Sequence, residues 1–167
     1  MHEEVLPPDA ELMESMRAIG YSLKTAVADL VDNSVAAEAK SVRLSWELEP
    51  VPSVYLVDDG NGMSEDDLRT AMKLAGKSPL SSRKPSDLGR FGLGLKTASL
   101  SQARSLSVVS KISEELTAAQ WDLDYLRESG KWTLRWLSHD EASQLPGSEE
   151  LANFSSGTLV VWQKLDQ

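Results

Sequence analysis

Leu23, Ala26, Val27, Leu30 and Val31 recur at i, i+3, i+4, i+7 and i+8, the spacing that puts apolar side chains on one face of a helix. Ser22 stands immediately before them as a helix cap, so the pattern predicts a helix over about 23–38 whose stripe needs an apolar partner. A first helix is expected over about 9–19, entered by Pro7-Pro8-Asp9 and ended by Gly20. Beyond residue 40 the apolar period falls to two. Strands fit 41–48 and 53–58, separated by Pro50 and Pro52, and in the second Val54, Leu56 and Asp58 share one face. A glycine turn at 59–63 and a short helix over about 65–74 follow. Residues 76–92, rich in Gly, Ser, Pro, Lys and Arg, read as a mobile loop leading to a helix over about 93–101. Strands are expected over about 104–112, 117–123, 131–137 and 157–163, interrupted by an irregular acidic stretch at 138–156. Trp132, Leu134 and Trp136 alternate as the core face of the third of these. Helices first, then strands with one inserted helix, give an α/β chain of two layers, a sheet covered by helices on one face.

A length of 167 residues suits one domain with a single core. No apolar run approaches the roughly 20 residues of a membrane helix, and no apolar signal core follows Met1-His2-Glu3-Glu4. Cysteine is absent, which excludes disulfides, thiolate metal sites and thiol nucleophiles. A cytoplasmic location is the expectation from these features. The net charge of −9 makes the domain a poor general binder of nucleic acid, whose phosphates require Lys and Arg. The densest basic stretch, Lys77 to Lys96, coincides with glycines and serines and points to a small phosphorylated ligand at least as readily as to a duplex.

Four segments carry chemistry. Asp29 and Asn33 lie four apart, on one side of the second helix and at the edge of its apolar stripe. They are solvated side chains or the rim of a cleft. Asp and Asn are poor mid-helix residues, and Asp29-Leu30-Val31-Asp32-Asn33 therefore costs the helix stability, a conflict that often marks function. Asp58-Asp59-Gly60-Asn61-Gly62-Met63 ends a strand in a carboxylate on its inward face, followed by two glycines that admit a close neighbour. A buried carboxylate needs a donor, and the exocyclic amine of adenine is a suitable one; a plain hairpin turn is the alternative. A calcium loop is excluded, because counting from Asp59 puts Ser64 where glycine is required. Gly89-Arg90-Phe91-Gly92-Leu93-Gly94-Leu95-Lys96-Thr97 sets three glycines before a helix start, whose free N–H groups favour an anion, with Lys96 and Thr97 adding a cation and a hydroxyl. It is not a Walker A loop, since Leu95 separates Gly94 from Lys96, nor a dinucleotide fingerprint, since the order is GxxGxG with no preceding strand. It is a phosphate loop of another kind or a flexible joint. Gly157-Thr158 opens the last strand and alone says little.

In this order the segments resemble the motifs of the GHKL ATPases, the superfamily of gyrase B, heat-shock chaperones, histidine kinases and MutL. Asp29 to Ser34 resembles the N box, Asp58 to Met63 the DxGxG box, Gly89 to Gly94 with Lys96-Thr97 the GxxGxG box, and Gly157-Thr158 the closing Gly-Thr motif. The match runs from about residue 12 to 163, and the wording of the third motif looks closest to MORC-type and related bacterial ATPases. The resemblance implies a Bergerat-type fold with a mixed, mostly antiparallel sheet, and ATP with Mg²⁺ as ligands. It implies that Asn33 ligates Mg²⁺, that Asp29 activates the attacking water, that Asp58 accepts the adenine amine with support from Thr158, and that Met63 packs on the ring, beside Gly60 and Gly62. Gly89, Arg90, Gly92, Leu93, Gly94, Lys96 and Thr97 would surround the phosphates, and residues 76–92 would be the ATP lid.

Three departures stand out. The base position is usually Glu and here is Asp29; the N box usually continues to Asp where this chain has Ala36; and many relatives take a phosphate-contacting lysine from a following domain. The 167 residues are accordingly expected to be one ATP-binding domain, the N-terminal part of a longer protein. The leading expectation is an ATPase acting as a conformational switch, its N-terminal segment helping two copies dimerise around nucleotide. A binding module that never cleaves ATP is the second, and a histidine kinase catalytic domain a third; the only N-terminal histidine, His2, lies outside any clear helix.

Overall fold

The computed structural model describes Glu14, Arg17, residues 22–73 and residues 93–166, with the backbone alone for Leu93 and Gly94. Most of the helix expected at 9–19, and the whole of the expected lid, lie outside the described residues. Arg17 joins the body: its Nε donates to the Leu100 carbonyl at 2.7 Å and its guanidinium pairs with Asp166.

Helix α1, Leu23–Ala36, forms where the apolar stripe predicts it. Ser22 caps it, its hydroxyl accepting the Thr25 N–H at 3.1 Å, and Ala26, Leu30 and Ser34 are its buried face. Strands β1, Val42–Glu47, and β2, Ser53–Asp58, pair antiparallel with Val42 opposite Asp58. Asp59 fastens their open end, opposite the 48–52 loop: one of its oxygens accepts the N–H groups of Lys40 and Ser41, both at 2.8 Å. Helix α2, Glu65–Met72, is capped by Ser64 and carries Glu65, Asp66 and Asp67 in its first turn, where the helix dipole favours them. Its last carbonyl, on Met72, accepts the Trp121 indole N–H at 2.6 Å.

Helix α3, Leu93–Gln102, runs directly into β3, Ala103–Ile112, which pairs with β4, Glu115–Asp122. Then come α4, Leu123–Ser129; β5, Arg135–Trp136; α5, His139–Ser143; α6, Ser148–Ala152; and β6, Ser156–Leu165. The six strands make one sheet in the order β1-β2-β6-β3-β4-β5, and every pairing is antiparallel. The last strand in sequence is thus inserted at the centre, between β2 and β3, and Leu159, Val161 and Trp162 on it are wholly buried. On one face Leu56, Leu106, Val108, Val160 and Trp162 pack under α1, α2, α3 and α4. Removing each such side chain from water stabilises the fold by about 1.5–3 kcal/mol.

The sheet with its helical layer is as expected, but among the described residues it has no parallel pair rather than being mixed, helices cover both faces rather than one, and the C-terminal half differs in detail. Residues 123–129 are helical, because Asp122 caps a helix through the N–H groups of Asp124 and Tyr125, and Gly130 ends it at φ 65°. The strand expected over 131–137 shrinks to Arg135–Trp136: Trp132 turns its ring edge-on to Trp121, with centroids 6.3 Å apart, so packing takes the place of a ladder there. Trp136 is 39% exposed under the Arg69 guanidinium and is no core residue. The stretch 138–156 is not irregular. A capping box between Ser138 and Glu141 starts α5, and α5 and α6 cover Tyr55, Val57, Leu159 and Val161 on the sheet's other face.

Candidate functional site

The end of β2 meets the start of β6 beneath α1. Asp58 pairs with Thr158 across the two strands, and Gly157 lets them approach: a Cβ there would stand 2.1 Å from the Asp58 carbonyl oxygen. Gly62, at φ 71°, makes the second close approach, since a Cβ would stand 2.3 Å from the Lys111 carbonyl oxygen. Both glycines therefore set where the turn 59–63 passes over the sheet.

Between α1, this turn and α3 lies a hollow that opens to solvent. Leu30, Met63, Leu95 and Val160 give it apolar walls, and Asn33, Ser34, Asp58 and Thr158 give it polar groups. Asp58 is 4% exposed. One of its carboxylate oxygens accepts the Ser34 hydroxyl at 2.7 Å, and the other accepts the Gly60 N–H at 2.9 Å. Burial pushes this carboxyl above the ordinary carboxylate range; the Ser34 hydroxyl and the Gly60 and Thr158 backbone pull it back without cancelling the shift. An ionised carboxylate has room for about four donors, so Asp58 retains acceptor capacity.

Behind the hollow, Ser110 on β3 ties the pieces together. Its hydroxyl oxygen accepts the Met63 N–H at 2.6 Å and lies 3.2 Å from the Thr158 hydroxyl and 3.3 Å from the Gly157 carbonyl. The polar atoms of the turn and of β6 thus share one small network, which fixes the Met63 backbone.

Of the expected site residues, Asn33, Asp58, Gly62, Met63 and Thr158 come together as lining of this hollow. Gly60 contributes its N–H, and its missing side chain leaves room for the Ala37 carbonyl, 2.8 Å from where a Cβ would stand. Asp29 is half-buried on α1 and does not line the hollow. Leu93 and Gly94 begin α3, so Gly94 lies within the first turn and not before it. Those first-turn N–H groups have no partner inside the helix, whatever residue carries them. Lys96 is 3% exposed, and burial pushes its ammonium below the usual lysine range; Thr97 is half-buried one residue on. Gly89, Arg90 and Gly92 lie outside the described residues. Among the described residues no cluster of three or more His, Cys, Asp or Glu side chains could hold a metal ion.

Sequence reasoning gave no role to Ser34, Ala37, Leu95, Val160 or Ser110. Ser34 was the findable one. It follows Ala26 and Leu30 at intervals of four, a hydroxyl where the stripe asks for an apolar residue. Ala37, not Ala36, borders the hollow, and its carbonyl accepts the Asn61 N–H at 2.8 Å.

The family model described as histidine kinase-, DNA gyrase B- and HSP90-like ATPase matches residues 21–158, well over half of the chain. The chain belongs to this GHKL-type ATPase family. ATP is thereby its ligand class, and a helix-covered antiparallel sheet is the expected frame. A search of curated proteins finds no match. The GHKL match spans both walls of the hollow, from α1 to Thr158. Among the described residues no helix is long and apolar enough to cross a membrane.

Proposed function

We propose that this chain binds Mg-ATP in the hollow beneath α1 and hydrolyses it slowly, as an ATP-dependent conformational switch. The observation that carries this reading is Asp58: a buried carboxylate with spare acceptor capacity at the base of an apolar-walled hollow. The amine edge of adenine is its complement, with the Thr158 hydroxyl supporting that contact and Met63 against the ring face. A donor there lets the carboxylate stay ionised in a site that otherwise penalises its charge.

Asn33 is the oxygen ligand at the hollow's rim for Mg²⁺, which takes few protein ligands and completes its shell with phosphate and water. When bound, the ion would neutralise phosphate charge. The first turn of α3, with Gly89, Arg90, Gly92, Leu93, Gly94, Lys96 and Thr97, would surround the phosphates through N–H groups and one ammonium. A phosphate near Lys96 would offset the burial that now disfavours its charge. Asp29 would take the proton of the attacking water as the water oxygen bonds the γ-phosphorus and the bond to the ADP oxygen breaks. Residues 76–92 act in this reading as the lid, the N-terminal segment supports a nucleotide-dependent homodimer, and MORC-type and related bacterial ATPases are the nearest branch.

A second reading, in which ATP is held and never cleaved, is favoured by one observation: Asp29 carries one methylene fewer than the usual Glu and stands outside the hollow's lining. Misplacement of a base is costly in catalysis. Calorimetric titration with Mg-ATP tests the common part, with heat of binding expected for the wild type and affinity about 10- to 100-fold weaker in Asp58→Asn. Turnover then separates the two readings. A rate in the wild type that falls at least about tenfold in Asp29→Asn supports hydrolysis by this base; binding without turnover supports the second reading.

A further inference from the structure

The two edges of the sheet are finished differently. The β5 edge is two residues long, a common way to discourage pairing with another chain. The β1 edge is six residues long and exposes an apolar row: Val42 is 36% exposed, Leu44 38%, Trp46 71% and, just past the strand, Leu48 75%. These four alternate and so lie on one face, where β1 lies opposite Val54 and Leu56 of β2. Contiguous exposed apolar side chains on an open edge mark an interaction site.

The edge is also complementary to itself. The Asp59 N–H donates to the Ser41 carbonyl, and with Val42 opposite Asp58 these two residues are a hydrogen-bonded pair. The odd residues of β1 therefore bond β2, and the even ones, Val42, Leu44 and Trp46, turn their N–H and C=O groups outward. An antiparallel partner copy must match even residues to even ones, so the two-fold axis has to pass through a single residue pair. Centring on Arg43 or on Glu47 puts like charges opposite each other. Centring on Leu44 sets Arg43 against Ser45, and centring on Trp46 sets Glu47 against Ser45. Centring on Ser45 sets Arg43 against Glu47 twice, Leu44 against Trp46 twice and Val42 against Leu48 twice. Charge points the same way. Glu47 shares a groove with Glu149 and Glu150, where Arg43, itself 68% exposed, reaches Glu150 at 3.5 Å. A second Arg43 opposite Glu47 adds a further cation beside these three carboxylates.

We infer that β1 is a homodimerisation edge, with two copies joined antiparallel about Ser45 into one continuous sheet, independently of nucleotide. The proposal does not rest on the ATP-site reading, and the dimer should persist in Asp58→Asn. The absence of native cysteine makes the register directly testable. Ser45 would face itself as a non-hydrogen-bonded pair with Cα atoms about 4.5 Å apart, within disulfide reach. Under mild oxidation Ser45→Cys should give covalent dimer at least about tenfold faster than Arg43→Cys or Glu47→Cys alone, whose thiols would lie several residues apart. A mixture of those two variants should cross-link to each other. In sedimentation velocity Glu47→Arg should weaken the dimer roughly tenfold, from two unfavourable pairs, and Arg43→Glu/Glu47→Arg should restore it. Far-UV circular dichroism checks the fold of each variant, and the charge-reversal series decides if Ser45→Cys does not fold. A monomeric wild type at every concentration overturns the proposal. So does a dimer that appears only with Mg-ATP, or one that Glu47→Arg leaves intact.

Discussion

Asp58 and Asp59 are adjacent, yet the protein treats them in opposite ways. Asp58 points under α1, is nearly sealed from solvent, and is pushed by burial above the ordinary carboxylate range. Asp59 points out of the sheet, and the N–H groups of Ser41 and Lys40 hold its carboxyl below that range. One strand step of backbone, with its reversal of face, accounts for the contrast. The outward residue joins β1 to the end of β2 and is a structural fastening. The inward one accepts the Ser34 hydroxyl and the Gly60 N–H, yet its burial still disfavours its charge, a cost that is often found at ligand-binding positions.

The largest effect expected on this pair comes from neither carboxylate. Gly157→Ala drives a methyl into the Asp58 carbonyl, so the strand pairing that orients both side chains must open. A loss of about 4 kcal/mol or more in urea denaturation is expected, or failure to fold. Asp58→Asn should sharpen the contrast: Mg-ATP affinity falls about 10- to 100-fold by calorimetry, the loss of a hydrogen bond to a charged acceptor, while ligand-free stability shifts by no more than about 1 kcal/mol. Asp59→Ala should do the reverse, leaving affinity within about twofold, since it removes no group facing the hollow, and lowering Tm through two freed N–H groups. If Asp59→Ala abolished binding while Asp58→Asn did not, the two roles would have to be exchanged.

The smallest effect is in pH. The folded pKa of Asp58 is raised, so ligand-free wild type should gain stability relative to Asp58→Asn below the ordinary carboxyl value of 3.8 and lose that gain as pH rises through the raised folded value. The folded pKa of Asp59 is lowered, so the wild-type advantage over Asp59→Ala should be present above 3.8 and vanish as pH falls through the depressed value. Denaturation midpoints of the three proteins across acid pH test the opposite slopes.

The same pair shows what was legible in the sequence. The alternation of Val54, Leu56 and Asp58 told which carboxylate faces inward, and the stripe from Leu23 to Val31 placed α1 above it. Periodicity reports the face a residue takes and so found the buried carboxylate at the base of the hollow. It did not report the partner a side chain chooses. Ser34 on Asp58 and Ser110 under Met63 are contacts between elements 24 and 47 residues apart, which no local pattern encodes. In the second half the local signals existed and were outweighed. Asp122 and Gly130 bracket α4, and Ser138 with Glu141 opens α5, but Trp132, Leu134 and Trp136 offered a strand period that Trp132 abandons in order to pack on Trp121. Gly89–Gly92, expected to contact phosphates, lie outside the described residues, so their reading is one of sequence alone.

Ser110 has a single proton for two acceptors. While it receives the Met63 N–H, it can donate either to the Gly157 carbonyl or to the Thr158 hydroxyl. If it chooses Thr158, the threonine's own proton is released to point elsewhere, toward the hollow that it borders. A serine on a neighbouring strand thereby decides whether the rim of the cavity presents itself to a guest as a giver or a taker of hydrogen.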